Sequence, residues 1–222
     1  MYKWIFSRPK HQFLFALSFL LLGAFFKFTY ELHDEEDIAL FDQYALYFVL
    51  SIRKDYLNGP AVDVTALGSY TVLTILTVFA VIIFLALKDK AAALQISLAS
   101  LGAGLLSALL KGIIERERPE GISKLVTVSS YSYPSGHSLA AAAFFLSLTY
   151  LITRHTESYR RRMFVYAFCF FVIMLVGFSR IYLGVHYPSD TFSGIMFGSA
   201  WSLFLASIFS YYEVRYSGSL KY

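Results

Sequence analysis

The sequence predicts an all-α polytopic membrane protein: six transmembrane helices in a bundle, with an interfacial helix between the first and second spans. Three observations carry that expectation. The 222 residues are 57% apolar and only 15% charged, where a soluble domain carries about 25% charged residues. Aromatic residues make up 18% of the chain, which suits a protein with two membrane interfaces to line. The apolar residues fall in six stretches separated by loops that hold most of the charge.

The first stretch, residues 12–28, follows Lys3, Arg8 and Lys10, as the apolar core of a secretion signal would. No small-x-small cleavage pattern comes after it, only Lys27, Phe28, Thr29 and Tyr30, so a retained first span is expected. Residues 31–63 are long and mixed. Phe41, Tyr44, Leu46, Tyr47 and Val49 are expected to form one amphipathic helix in the outer interface, with an ordinary packed loop as the alternative. The stretches 64–87 and 91–114 meet the span length of about 20 residues directly, as does 192–211. Residues 138–152 and 163–178 are shorter and must borrow flanking residues. There is no internal repeat, low-complexity tract or flexible linker, so residues 1–222 read as a single domain.

Loop charge sets the expected orientation. With the N-terminus inside, the cytoplasmic side holds Lys3, Arg8, Lys10, Lys88, Lys90, Arg154, Arg160, Arg161, Arg162, Arg215 and Lys221, against Asp89, Glu157 and Glu213. The opposite side receives the acidic segment 31–42. The positive-inside rule therefore puts both termini in the cytoplasm of a multi-pass cell-membrane protein. Nucleic acid is not an expected partner, because the basic residues sit in short loops between spans rather than on a polar surface. Cys169, the only cysteine, lies inside an apolar run and reads as a small buried hydrophobe.

Three clusters fall on the extracytoplasmic side. Lys111 and Arg118 are seven apart and precede Pro119. If the third helix continues, both lie on one face and suit a multiply charged anion; taken alone, the pair is better explained by snorkelling at the boundary. Pro134-Ser135-Gly136-His137 opens the fourth span. Ser135 is placed as N-cap, the helix N-terminus is an anion site, Gly136 permits close backbone approach, and His137 sets a proton donor beside the anion. A capped helix with an interfacial histidine is the alternative. Ser179-Arg180 is followed by His186 and Asp190. Arg180 offers a planar fork of donors to phosphate oxygens. Asp190 can hold one ring nitrogen of His186, fixing its tautomer and leaving the other nitrogen as a nucleophile. Boundary ionisable groups gathered on one side mark function.

Together these clusters resemble the type 2 phosphatidic acid phosphatase (PAP2) family, whose core is shared with vanadium haloperoxidases and bacterial acid phosphatases. The family pattern is K-x6-R-P, then P-S-G-H, then S-R-x5-H-x3-D. The sequence matches at Lys111, Arg118 and Pro119, at Pro134, Ser135, Gly136 and His137, and at Ser179, Arg180, His186 and Asp190. The resemblance implies that His186 attacks phosphorus and carries a phosphohistidine, that Asp190 orients it, and that His137 protonates the leaving oxygen and then helps activate water. It implies that Lys111, Arg118, Arg180, Ser135 and the Gly136 amide hold the phosphate oxygens, in keeping with phosphoryl transfer by positioning and charge. It implies neither metal nor cofactor, and no carboxylate pair or histidine cluster has metal-ligand spacing near the motifs.

The implied activity is hydrolysis of a phosphomonoester or pyrophosphate on a membrane lipid. The substrates of bacterial relatives include phosphatidylglycerol phosphate, undecaprenyl pyrophosphate, phosphatidic acid and lipid A phosphates, and the first two are favoured. The expected partners are the lipid substrate and the bilayer, with no obligate protein partner evident. Phosphotransfer to another acceptor, and non-catalytic binding of lipid phosphates, are the competing readings. Six spans count against a soluble haloperoxidase.

Overall fold

The computed structural model describes residues 9–34 and 36–216; Lys3, Arg8 and Lys221 of the topology argument lie outside the described residues. Eight helices follow one another among the described residues: α1 (Pro9–Asp34), α2 (Glu36–Ser51), α3 (Asp55–Ala66), α4 (Tyr70–Ala86), α5 (Lys90–Ile114), α6 (Gly136–Thr153), α7 (Tyr159–Tyr182) and α8 (Pro188–Tyr216). Among the described residues, five segments are long and apolar enough to cross a membrane: His11–Leu32, Lys90–Ile114, Gly136–Thr153, Tyr159–Tyr182 and Pro188–Glu213. A sixth span arises if α3 and α4, bent by 46° at their junction, are counted together. The expected bundle is present, but the second span does not run on from residue 64. Ser69 breaks it: in extended conformation it caps α4, its side chain accepting from the Val72 amide.

α6 is the central helix, with 72% of its membrane-length window buried against 11% for α1. Its alanines make this possible. Ala140, Ala141, Ala142 and Ala143 are all buried, and α8 meets them with glycine. A Cβ on Gly194 would stand 2.6 Å from the Ser135 carbonyl, and one on Gly198 would collide with the Leu139 carbonyl. Close backbone approach replaces the hydrophobic drive that lipid cannot supply between helices. Deeper in the same interface Ser147 and Ser202 share a 2.9 Å hydrogen bond, worth about 0.6 kcal/mol in a membrane.

α1 lies along α8. Phe25 is fully buried against the rings of Tyr133 and Phe197. The Ser207 hydroxyl donates to the His11 carbonyl at 2.9 Å, and His11 meets Tyr211 edge-on. The start of α1 and the end of α8 therefore share one end of the bundle. The Lys88-Asp89-Lys90 turn reaches the same end, where Arg154 bridges Asp89 and Glu213.

The segment expected to hold one interfacial helix holds two. In α2 the residues read as one apolar face divide: Leu46 and Val49 are buried, whereas Phe41, Tyr44 and Tyr47 are exposed. At 100° per residue, Asp42 shares the inward face with Leu46 and Val49, and it is 1% exposed.

Candidate active site

α5 stops at Ile114 because its C-cap, Glu115, adopts left-handed φ of 51°. Lys111 and Arg118 are therefore not two turns of one helix, as the spacing suggested. Lys111 projects from the last turn of α5, and Arg118 comes back from the loop that follows. That loop is pinned along its length: Ser132 N donates to Arg116 O at 2.8 Å, Leu125 N to Leu183 O at 3.1 Å, and Ser135 N to Asp190 O at 2.9 Å. Arg53 clamps it from outside, donating to Tyr182 O at 2.7 Å and Ser123 O at 2.8 Å.

The three motifs converge. Lys111 donates to the carbonyls of Tyr131 and Ser132. Arg118 donates through Nε to Ser130 O at 2.7 Å and through Nη1 to Val185 O at 2.5 Å, and the same Nη1 stands 3.2 Å from Nε2 of His186. Arg180, 3% exposed, donates to Thr65 Oγ1 of α3 at 2.9 Å and keeps its Nε without a partner. His137 lies within electrostatic reach of Arg180, His186, Arg118 and Lys111. Three cations and two imidazoles thus gather within electrostatic reach of one another.

His186 and Asp190 meet as their spacing predicts: Nδ1 stands 3.2 Å from Oδ2, with Pro188 opening α8 between them. The carboxylate fixes the proton on Nδ1 and directs the lone pair of Nε2 toward Arg118. Burial, reinforced by Arg118 and Arg180, carries His186 from 6.5 down to about 3 against the pull of Asp190. Burial thus favours the neutral imidazole. Burial likewise lowers Arg118, partly offset by Asp190.

Ser135 occupies the N-cap position of α6 but makes no capping bond; its Oγ instead accepts from Ser138 Oγ at 3.0 Å. Gly136 serves packing as well as backbone access. A Cβ there would stand 2.8 Å from Tyr70 Oη and 2.9 Å from Ser107 Oγ.

Four residues of the site were not anticipated. Ser132 donates to Oδ2 of Asp190 and stands 3.3 Å from Nδ1 of His186. Arg116 reaches Asp190 Oδ1 at 2.5 Å and Asp42 Oδ2 at 2.8 Å, and Ser189 completes that knot by donating its hydroxyl and its amide to Asp42. Burial opposes the charge on Arg116, but Asp190 and Asp42 outweigh it and raise its pKa. Breaking such a buried pair from one side costs about 3–5 kcal/mol. Arg116 was visible as a further cation inside the Lys111–Arg118 spacing. Asp42 carried a weaker signal, as a lone acid on an inward face.

A cavity of about 910 Å³ opens beside the cluster, with the cations Lys111, Arg118 and Lys124 and the carboxylates Glu117 and Glu120 in its walls beside Tyr70. Tyr70 and Gly104 also border a second cavity of about 400 Å³ between α4 and α5, lined by Leu73, Val78, Val81 and Leu101. A charged chamber therefore adjoins an apolar groove. The arrangement can hold a tetrahedral oxyanion, attack it with an imidazole, and accept an apolar chain alongside.

A family model described as the PAP2 superfamily matches residues 90–213, more than half of the chain. The chain is 40% identical over 95 residues to phosphatidylglycerophosphatase B of Bacillus subtilis (strain 168), covering 42% of this chain and 46% of that protein. It is 36% identical over 116 residues to a lipid A 1-phosphatase of Rhizobium johnstonii, covering 48% of this chain and 43% of that protein. The chain thus aligns with less than half the length of either curated relative. The crystal structure of a transmembrane PAP2 type phosphatidylglycerolphosphate phosphatase from Bacillus subtilis matches with a TM-score of 0.71 and 28% identity, over 96% of this chain and 98% of that one.

Proposed function

The chain belongs to the PAP2 superfamily, and we propose that residues 1–222 form one membrane-embedded phosphatase domain that hydrolyses a lipid phosphomonoester or pyrophosphate through a phosphohistidine. The observation that carries this reading is the meeting of His186 Nε2 with Arg118 at 3.2 Å while Nδ1 faces Asp190 at 3.2 Å. Lys111, Arg118, Arg180, Ser135 and the Gly136 amide hold the phosphate oxygens. The Nε2 lone pair forms a bond to phosphorus as the bond to the lipid oxygen breaks, and His137 gives that oxygen a proton. Asp190 balances the charge of the phosphoimidazolium. His137 then takes a proton from water, whose oxygen attacks phosphorus; the N–P bond breaks and phosphate leaves.

The apolar groove between α4 and α5 is where the hydrocarbon lies while the head group occupies the charged chamber. Among candidate substrates, phosphatidylglycerol phosphate comes first, on the likeness to the Bacillus subtilis phosphatidylglycerophosphatase in sequence and to a Bacillus subtilis phosphatase of that kind in structure; lipid A phosphate, undecaprenyl pyrophosphate and phosphatidic acid complete the class. Purified protein in detergent is expected to release phosphate from at least one of this panel. Activity survives excess chelator, because side-chain cations supply the positive charge. Vanadate inhibits, as a mimic of five-coordinate phosphorus. An absolute need for magnesium, or inactivity on the whole panel, would sink the reading.

The site faces away from the cytoplasm, with both termini inside. The support is charge: Lys88 lies in the turn before α5, Lys90 opens α5, and Arg160, Arg161 and Arg162 open α7, all on the opposite side. In a Cys169-free background, an impermeant thiol reagent on intact cells is expected to label a cysteine at Ser123 and spare one at Ser158. Labelling of position 158 alone inverts the orientation.

A further inference from the structure

Asp190 is fully buried, and its two oxygens serve different partners. Oδ2 faces His186 and accepts from Ser132 Oγ and, at 2.9 Å, from Tyr187 N. Oδ1 belongs to Arg116, whose Nη1 also donates to Ser189 Oγ at 2.7 Å. The Arg116 guanidinium lies over the Tyr187 ring with its Cζ 4.5 Å from the centroid, and its second nitrogen is anchored to Asp42. None of Arg116, Asp42 and Ser189 belongs to the three motifs, and Asp42 lies in α2, outside the residues matched by the family model. From these contacts we infer that Arg116, held in place by Asp42, is a positioning residue that presents Oδ2 of Asp190 to His186 and tempers the basicity of that histidine. The inference rests on the reading of His186 as nucleophile.

A planar fork gripping Oδ1 from one side and Asp42 from the other prevents the carboxylate from rotating about its χ2. Its positive charge also competes with His186 for the negative charge of Asp190. Removing that competitor lets Asp190 favour the imidazolium more strongly, so His186 gains a proton at higher pH. The other groups around His186 are Arg118 on the loop, Arg180 on α7 and His137 on α6, with Lys111 on α5 beside His137.

The test is kcat and kcat/KM against pH for the full chain and for Arg116→Met, Arg116→Lys and Asp42→Asn, each checked for folding by thermal unfolding. Arg116→Met is expected to lose about 10²-fold in kcat with KM nearly unchanged, the scale of a small misplacement of a catalytic group. Its acid limb of kcat/KM moves up by about one pH unit. Arg116→Lys restores the limb, because the charge returns, but not kcat, because an ammonium cannot form the fork. Asp42→Asn lowers kcat without raising the limb. If Arg116→Met does not fold, the last two variants carry the test. Equal losses in every variant with the limb unmoved would mean a structural staple and overturn the proposal. A wild type that hydrolyses no lipid phosphate overturns the parent reading and this one with it, whereas an active wild type beside unaffected variants sinks this one alone.

Discussion

His186→Ala is expected to lose roughly 10⁴–10⁶-fold in kcat, the scale on which removal of a nucleophile is felt. No neighbour can replace it. Asp190 is fully buried and committed to Arg116, Ser132 and Tyr187 N, and the role proposed for His137 is protonation of the leaving oxygen. The phosphate site itself survives the substitution, since Lys111, Arg118 and Arg180 approach from other elements. The variant should therefore still bind substrate, measured as competitive protection or by direct titration, while turning none over. Retention of more than a few per cent of activity would place the nucleophile elsewhere.

The second large effect separates the two histidines by leaving group. His137 matters most when the departing oxygen is a poor leaving group, as a lipid alkoxide is. His137→Ala is expected to lose about 10²–10⁴-fold on a lipid monoester. An aryl phosphate, whose phenolate departs without a proton, should show a much smaller loss in the same variant. Equal losses on both substrates would remove the general-acid assignment and leave His137 as a phosphate-binding group.

Much of the architecture was legible because the bilayer leaves the chain few choices. Backbone groups must be satisfied within each span, so apolar length alone marks helices such as residues 91–114. Local spacing also sufficed for His186 and Asp190, which are four residues apart across the start of α8. Spacing misled where a backbone turn intervened. Lys111 and Arg118 read as one helix face until Glu115 enters the left-handed region and ends α5. The break at Ser69 was hidden for a related reason, since hydropathy runs smoothly across 64–87 while the direction of the chain changes by 46°. Asp42 and Arg116 lie 74 positions apart, and only the packing of α2 against the start of α8 brings them together. No periodicity within α2 announces that partner; its aromatic residues draw attention to the face opposite Asp42.

The central claim is a covalent bond between phosphorus and His186, and rapid-quench trapping tests it most directly. Protein mixed with lipid substrate carrying radiolabelled phosphate is stopped within one turnover in alkaline detergent, because a phosphoimidazole survives base and hydrolyses in acid. Wild type should show a base-stable, acid-labile phosphoprotein, His137→Ala should still form one on an aryl phosphate, and His186→Ala should form none on either substrate. If His186→Ala accumulates labelled protein while His137→Ala does not, the two roles are reversed and the mechanism described for this site is wrong.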